Sequence, residues 1–222
     1  MALFTGITSF YGCGITARAK RRLLSSIQLL ALVLMVHNPA WSASILILGD
    51  SLSAAYGIPE QQGWVAKLQQ QLPQHQIING SVSGETSAGG LRRLPALLDS
   101  ATPDILLVEL GGNDGLRGFS PAALKSNLTK IIELGQANGA LVLLTEMMVP
   151  PNYGRRYSRQ FNGVYHDLSE QFAIPLIPFF MTEIAIDSSL MQRDGIHPNA
   201  TAQPKITQWM EPWISSALEQ IE

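Results

Sequence analysis

Four short segments of this 222-residue chain carry side chains whose types and spacing allow them to act on one another chemically. Near the C-terminus stands Asp194-Gly195-Ile196-His197-Pro198-Asn199. A carboxylate three residues before a histidine, on one turn, can accept from one ring nitrogen and fix the tautomer. The other ring nitrogen is then left to take a proton near neutral pH. Serine is a weak nucleophile that needs such a base, and Ser51 lies in Gly49-Asp50-Ser51-Leu52-Ser53, directly after the apolar run 44–48. A serine at a sharp strand-to-helix turn is exposed at the sheet's edge, and a helix N-terminus behind it favours developing negative charge. The same Asp-Ser pair also fits a simple helix cap. It is not the Gly-x-Ser-x-Gly elbow, whose second glycine is missing.

Two glycine-containing segments can serve that negative charge. In Asn79-Gly80-Ser81-Val82-Ser83-Gly84-Glu85-Thr86, Gly84 can bring a backbone N–H close to a substrate because no side chain blocks it. A plain Gly/Ser loop is the competing reading. In Glu109-Leu110-Gly111-Gly112-Asn113-Asp114-Gly115, the Asn113 amide can donate to an oxyanion at the end of a strand. A Gly-Asn turn explains the same residues. No Gly-Lys-Ser/Thr follows, so this is not a phosphate loop. The other histidines are His37, His75 and His166, the last two read as surface residues. None forms a grouping with metal-ligand spacing.

Placing these segments in one site requires a scaffold, and the chain offers one. Apolar runs at 44–48, 76–78, 104–110, 140–145 and 175–177 alternate with helical stretches at 64–72, 91–98, 121–137, 158–172 and 199–221. Ser120 is a candidate N-cap before Pro121, and Pro204 and Pro212 are expected to interrupt the last stretch. Continuous apolar strands alternating with helices predict a parallel sheet covered on both faces, an α/β three-layer α/β/α sandwich of about five strands. Ligands of such sheets bind beyond the carboxyl ends of the strands, where three of the four segments fall.

Composition narrows the function further. The chain is 46% hydrophobic and 14% charged, as expected for one globular domain at residues 44–222 rather than disorder or a coiled coil. Of 15 basic and 17 acidic residues, Arg18, Lys20, Arg21 and Arg22 lie in the first 43 residues, which hold no acid. The remainder therefore carries a net charge near −6, without the basic footprint of a nucleic-acid binder. Basic residues, an apolar run at 23–36, then Pro39, Ala40, Ser42 and Ala43 follow the order of a signal peptide cleaved after Ser42 or Ala43. The apolar run is shorter than the ~20 residues of a stable span; an uncleaved anchor is the alternative. The sole cysteine, Cys13, would leave with the signal, removing any disulfide, thiolate metal site or cysteine nucleophile. The mature form is expected to be a periplasmic monomer without a membrane span.

The four segments together resemble the SGNH (GDSL-type) hydrolase family, in order and spacing, from Ile45 to about Trp213. Residues 110–119, 152–157 and 178–181 are similar to the family's bacterial periplasmic multifunctional esterases. The resemblance implies a flavodoxin-like sheet of strand order 2-1-3-4-5 and a catalytic triad of Ser51, Asp194 and His197. It also implies an oxyanion hole from the Ser51 and Gly84 N–H groups and the Asn113 side chain, with no metal or organic cofactor. Expected substrates are acyl esters and thioesters, including lysophospholipids, fatty acyl-CoA and aryl esters. Short-chain aryl or carbohydrate O-acetyl esters are the alternative, and a non-catalytic flavodoxin-like binding protein is a further one. Leu116, Phe119, Val149 and Pro151 are candidates to line an acyl-chain groove, with ordinary loop packing as the equal alternative. Glu85 departs from the aspartate frequent in the family.

Overall fold

Unalternated apolar sequence makes the centre of the sheet. In the computed structural model, which describes residues 42–221, β1 (Ser44–Gly49) buries Ile45, Leu46, Ile47 and Leu48 completely. β3 (Ile105–Glu109) is buried along its whole length. Each such Leu or Ile contributes about 1.5–3 kcal/mol when removed from water, and only a strand covered on both faces can use every one. The edges are polar or short: β2 (Gln76–Asn79) reads Gln-Ile-Ile-Asn, and β5 (Leu176–Ile177) is two residues long. β4 (Leu141–Thr145) completes a five-stranded sheet of order β2-β1-β3-β4-β5 with every pairing parallel. The expected signal segment, residues 1–43, lies outside the described residues except for Ser42 and Ala43.

Helices cover both faces. α1 (Trp64–Gln71) packs against the terminal α6 (Gln203–Ile221). α2 (Ser87–Ala101), α4 (Pro121–Ala137) and α5 (Arg155–Phe172) pack side by side as the other layer. Right-handed crossovers require this split, because the path from β1 to β2 runs one way along the sheet and the path from β2 to β3 runs back. That reversal leaves a crevice beyond the carboxyl ends of β1 and β3. Ser51 and Asn113 both follow those ends.

Several local expectations are corrected. β1 does not run into a helix: residues 51–57 form successive turns, with Ala54 N donating to Asp50 O at 3.0 Å and Tyr56 N to Ser51 O at 3.3 Å. Positive φ at Ala55 (55°) and Gly57 (75°) prevents helical continuation there. α2 begins at Ser87, four residues before the expected start, because the Thr86 hydroxyl accepts from Gly89 N at 3.2 Å and caps it. Residues 112–116, read as a turn, form the one-turn helix α3 (Gly112–Leu116). Ser120 occupies the N-cap of α4, yet its hydroxyl makes no capping bond. α6 starts at Gln203 and passes through Pro212 without interruption; Pro204 sits in its first turn, where the missing N–H is not needed. Pro95 and Pro212 both lie on exposed faces, where the carbonyls they leave unbonded can meet water. His75 is buried, not superficial, and its Nδ1 accepts from Ala43 N at 3.2 Å.

Candidate active site

The turn 49–51 at the end of β1 is the point on which the other three segments converge. The first to reach it is the C-terminal loop, where Asp194, Ile196 and His197 form a tight turn. Asp194 Oδ1 accepts from the N–H groups of Ile196 (2.9 Å) and His197 (3.0 Å). Its Oδ2 lies 2.7 Å from His197 Nδ1. Those backbone and side-chain bonds from His197, with the Ile196 N–H, lower the Asp194 carboxyl to about 2, so it is ionised at any working pH. An ionised carboxylate only accepts, which places the proton on Nδ1 and leaves the Nε2 lone pair free. Nε2 lies 2.9 Å from Ser51 Oγ. The Tyr56 ring rests against the imidazole with centroids 4.4 Å apart.

The loop after β2 reaches the same turn through its backbone. Val82 N donates to Gly49 O at 3.1 Å, and Glu85 N to Val82 O at 3.1 Å. Between them Gly84 adopts φ +77°, a conformation that other residues reach only with strain. Its carbonyl accepts from Arg117 Nη2 at 3.0 Å, an exposed contact that turns the carbonyl toward the arginine. Glu85 points back to Arg93 (2.7 Å), which also donates to Gly80 O at 3.0 Å. The glutamate that replaces the expected aspartate therefore braces this loop from behind.

After β3, α3 carries Asn113, whose Nδ2 donates to Asp50 Oδ2 at 3.1 Å. Asp114, beside it, is buried and holds α3 to the start of α2, accepting from Ser87 N at 2.8 Å and Ser87 Oγ at 2.5 Å. Ser51, His197, Asp194, Gly84 and Asn113 are thus tied to one turn. A serine hydroxyl facing a held imidazole, with a glycine loop and a side-chain amide fastened to the same turn, is able to perform acyl transfer. Among the described residues no cluster of three or more His, Cys, Asp or Glu is placed to hold a metal.

The groove candidates separate. Leu116 and Phe119 are exposed (39% and 45%). Their backbone carbonyls accept from the Tyr153 and Tyr157 hydroxyls, each at 2.8 Å. Val149 is instead a core residue, packed where a Cβ on Gly115 would collide with it. Pro151 opens the 3₁₀ turn Pro151–Tyr153. Tyr153 and Tyr157, missed in the sequence, begin an aromatic ladder with Phe161 and Tyr165 at four-residue spacing, successive centroids 5.8–6.2 Å apart. That spacing, the repeat of one helix face, was the available signal. Asp50, Glu109 and Gln192 were also missed; they lie behind or beside the turn.

A doubly wound sheet with these four segments at its switch point defines a class, and the chain belongs to it: the GDSL-like lipase/acylhydrolase family, whose sequence profile matches residues 47–203. Among its relatives is thioesterase 1/protease 1/lysophospholipase L1 of Escherichia coli, 47% identical over 182 residues, spanning 82% of this chain and 88% of that protein. The arylesterase of Vibrio mimicus is 46% identical over 191 residues, spanning 83% and 96%. Among solved structures, the psychrotrophic esterase EstA of Pseudoalteromonas sp., inhibited by monoethylphosphonate, superposes with a TM-score of 0.78 at 47% identity. That match covers 80% of this chain and all of EstA.

Proposed function

We propose that this protein is a serine esterase and thioesterase that works through an acyl-enzyme on Ser51. The observation that supports it is the continuous chain Asp194 Oδ2–His197 Nδ1 (2.7 Å) and His197 Nε2–Ser51 Oγ (2.9 Å). Ser51 Oγ attacks the acyl carbonyl as its proton passes to Nε2, and the carbonyl oxygen becomes an oxyanion. The Ser51 and Gly84 N–H groups and the Asn113 amide receive that charge. Collapse breaks the bond to the leaving alkoxide or thiolate, which takes the proton from Nε2. Water then attacks the acyl-enzyme, giving its proton to the same nitrogen and freeing the acid and Ser51. Asp194 keeps the imidazole oriented and balances its charge when protonated.

The relatives' names, a thioesterase and lysophospholipase and an arylesterase, favour acyl thioesters, lysophospholipids and aryl esters. Exposed Leu116 and Phe119 support an acyl path beginning at the α3 end, with Val149 beneath it as packing. A short-chain aryl ester is the second reading, favoured by the Tyr56 ring against His197. Residues 18–43 support export to the periplasm, with a mature chain starting at Ala43 or Ser44 and acting as a monomer. No helix among the described residues is long and apolar enough to cross a membrane.

A fluorophosphonate probe tests the chemistry: wild type is labelled and Ser51→Ala is not. An unlabelled wild type would overturn the serine mechanism. A chain-length series of p-nitrophenyl esters and acyl thioesters then separates the substrates. A steep fall in kcat/KM beyond acetyl would establish the short-chain reading instead.

A further inference from the structure

Directly behind the Ser51 turn lie two carboxyl groups that the acyl-transfer steps do not use. Asp50 is 2% exposed and Glu109 is fully buried. Neither belongs to an ion pair with lysine or arginine among the described residues. They stand on neighbouring strands, since Gly49 pairs with Glu109 in the sheet. A Cβ at residue 49 would lie 2.7 Å from Glu109 Oε2 and 2.9 Å from Ser53 Cβ, so glycine there is what admits the acid. Gly112 does the same for Asp50 Oδ2, 3.1 Å from where its Cβ would be.

Their hydrogen bonds have a direction. Asp50 Oδ1 accepts from Leu52 N at 3.0 Å, and Oδ2 accepts from Asn113 Nδ2 at 3.1 Å. Glu109 Oε2 accepts from Ser53 Oγ at 2.7 Å and Asp50 N at 3.2 Å. An asparagine amide has an oxygen edge and a nitrogen edge, and a half-turn exchanges them. An acceptor at Asp50 selects one: a hydrogen of Nδ2 is held and the other is left for the reacting centre. Glu109 Oε1 is buried and makes no hydrogen bond, so the two residues meet through the Asp50 N–H that Glu109 Oε2 accepts.

We propose that Asp50 is a positioning residue that selects the donor edge of Asn113, and that Glu109 holds Asp50 in place by accepting its backbone N–H. Burial pushes Asp50 up to about 6 and Glu109 well above the carboxylate range, with the Asp50 charge adding to the rise in Glu109. Burial and the neighbouring Asp50 charge therefore favour the neutral form of Glu109. His197 on the C-terminal loop lies within electrostatic range of Asp50, and Tyr165 on α5 within range of both carboxyls.

The proposal rests on the serine-hydrolase reading and is tested by a double-mutant cycle. In Asp50→Asn an oxygen remains for Leu52 N–H but an NH₂ group is turned toward Asn113. We expect kcat to fall about 100-fold, with KM within about threefold of wild type. In an Asn113→Ala background the same change lowers kcat by no more than about threefold, because the residue it acts through is gone. A loss carried by KM, or a full loss that persists without Asn113, overturns the proposal. Glu109 is tested by rescue: Glu109→Ala lowers kcat and Glu109→Gln restores it, since glutamine keeps an acceptor for Ser53 Oγ and Asp50 N. A glutamine variant as impaired as the alanine one overturns the holding role of Glu109, and this pair decides if Asp50→Asn does not fold. Fluorophosphonate labelling of wild-type Ser51 is scored separately. Labelled wild type with an additive cycle sinks only this proposal; unlabelled wild type sinks the reading beneath it.

Discussion

The side-chain amide of Gln192 donates to the backbone carbonyl of Tyr56 at 2.6 Å, joining two turns 136 residues apart in the chain. The same Nε2 donates to Pro198 O at 3.1 Å, and Gln192 N donates to His197 O at 2.8 Å. One residue therefore fastens the histidine loop to the serine turn without touching either reacting atom. Gln192→Ala removes two side-chain hydrogen bonds worth about 1 kcal/mol each. We expect kcat to drop about tenfold as the 2.9 Å Ser51–His197 distance loosens, with a small fall in Tm. Steady-state kinetics with a p-nitrophenyl ester check it; unchanged kcat would show that the loop holds itself.

Asp194 makes a two-part prediction. Asn at 194 cannot present acceptors to the two N–H groups and to His197 Nδ1 together, so the tautomer is no longer fixed. Asp194→Asn should lower kcat by about 10³–10⁴-fold. Stability changes with pH in a defined window. The folded carboxyl lies at about 2, below the ordinary 3.8, so its stabilising effect is present above about 4 and lost as pH falls through about 2. The Tm gap between wild type and Asp194→Asn should close over that interval. The gap is small, because Asp194 is partly exposed to screening solvent. Melts from pH 6 to pH 2 that stay parallel would contradict this.

Ser51, Asn113 and the Asp194/His197 turn were legible because their chemistry belongs to residue type and their position follows strands that are plainly apolar. β1, β3 and α4 were readable for the same reason: burial dominates their composition. The helix expected after Ser51 failed on the φ values of Ala55 and Gly57, which no periodicity reports. α2 was cut short because Ser87-Ala-Gly-Gly has poor helix propensity, and capping by Thr86 outweighs it. Asp50, Glu109 and Gln192 reach the site through contacts 56 to 136 residues apart, so little local marks them. One trace existed: Glu109 is an acid ending the run Ile-Leu-Leu-Val, a charge where a buried strand has no use for one. His75 was misplaced because a polar-loop histidine looks exposed until the packing is known, while burial of Val149 fits the loop-packing reading left open for it.

Gly84 separates backbone strain from steric conflict. A Cβ there meets only Arg117 Nη2, at 3.9 Å, so there is room. Its φ of +77° still costs an L-residue about 1–2 kcal/mol. Relaxing that strain rotates the N–H proposed to receive the oxyanion. Gly84→Ala should therefore lower kcat about tenfold with KM little changed, and the protein should stay folded. A variant with wild-type kcat would remove Gly84 from the oxyanion hole.

Glu109 predicts a pH dependence opposite in sign to that of Asp194. Its folded carboxyl is raised well above the ordinary 4.5 by burial and by the Asp50 charge. The unfolded chain releases this proton in the usual glutamate range while the folded protein keeps it. Wild type therefore has its full stability from this group at acid pH and loses it progressively as pH rises toward the folded value. Glutamine has no proton to lose. Thermal melts of Glu109→Gln and wild type should lie closest at about pH 4 and diverge as pH rises to about 9, with the glutamine variant gaining. Parallel curves across that range would mean that Glu109 is ionised in the folded protein, and that the site carries two negative charges behind Ser51.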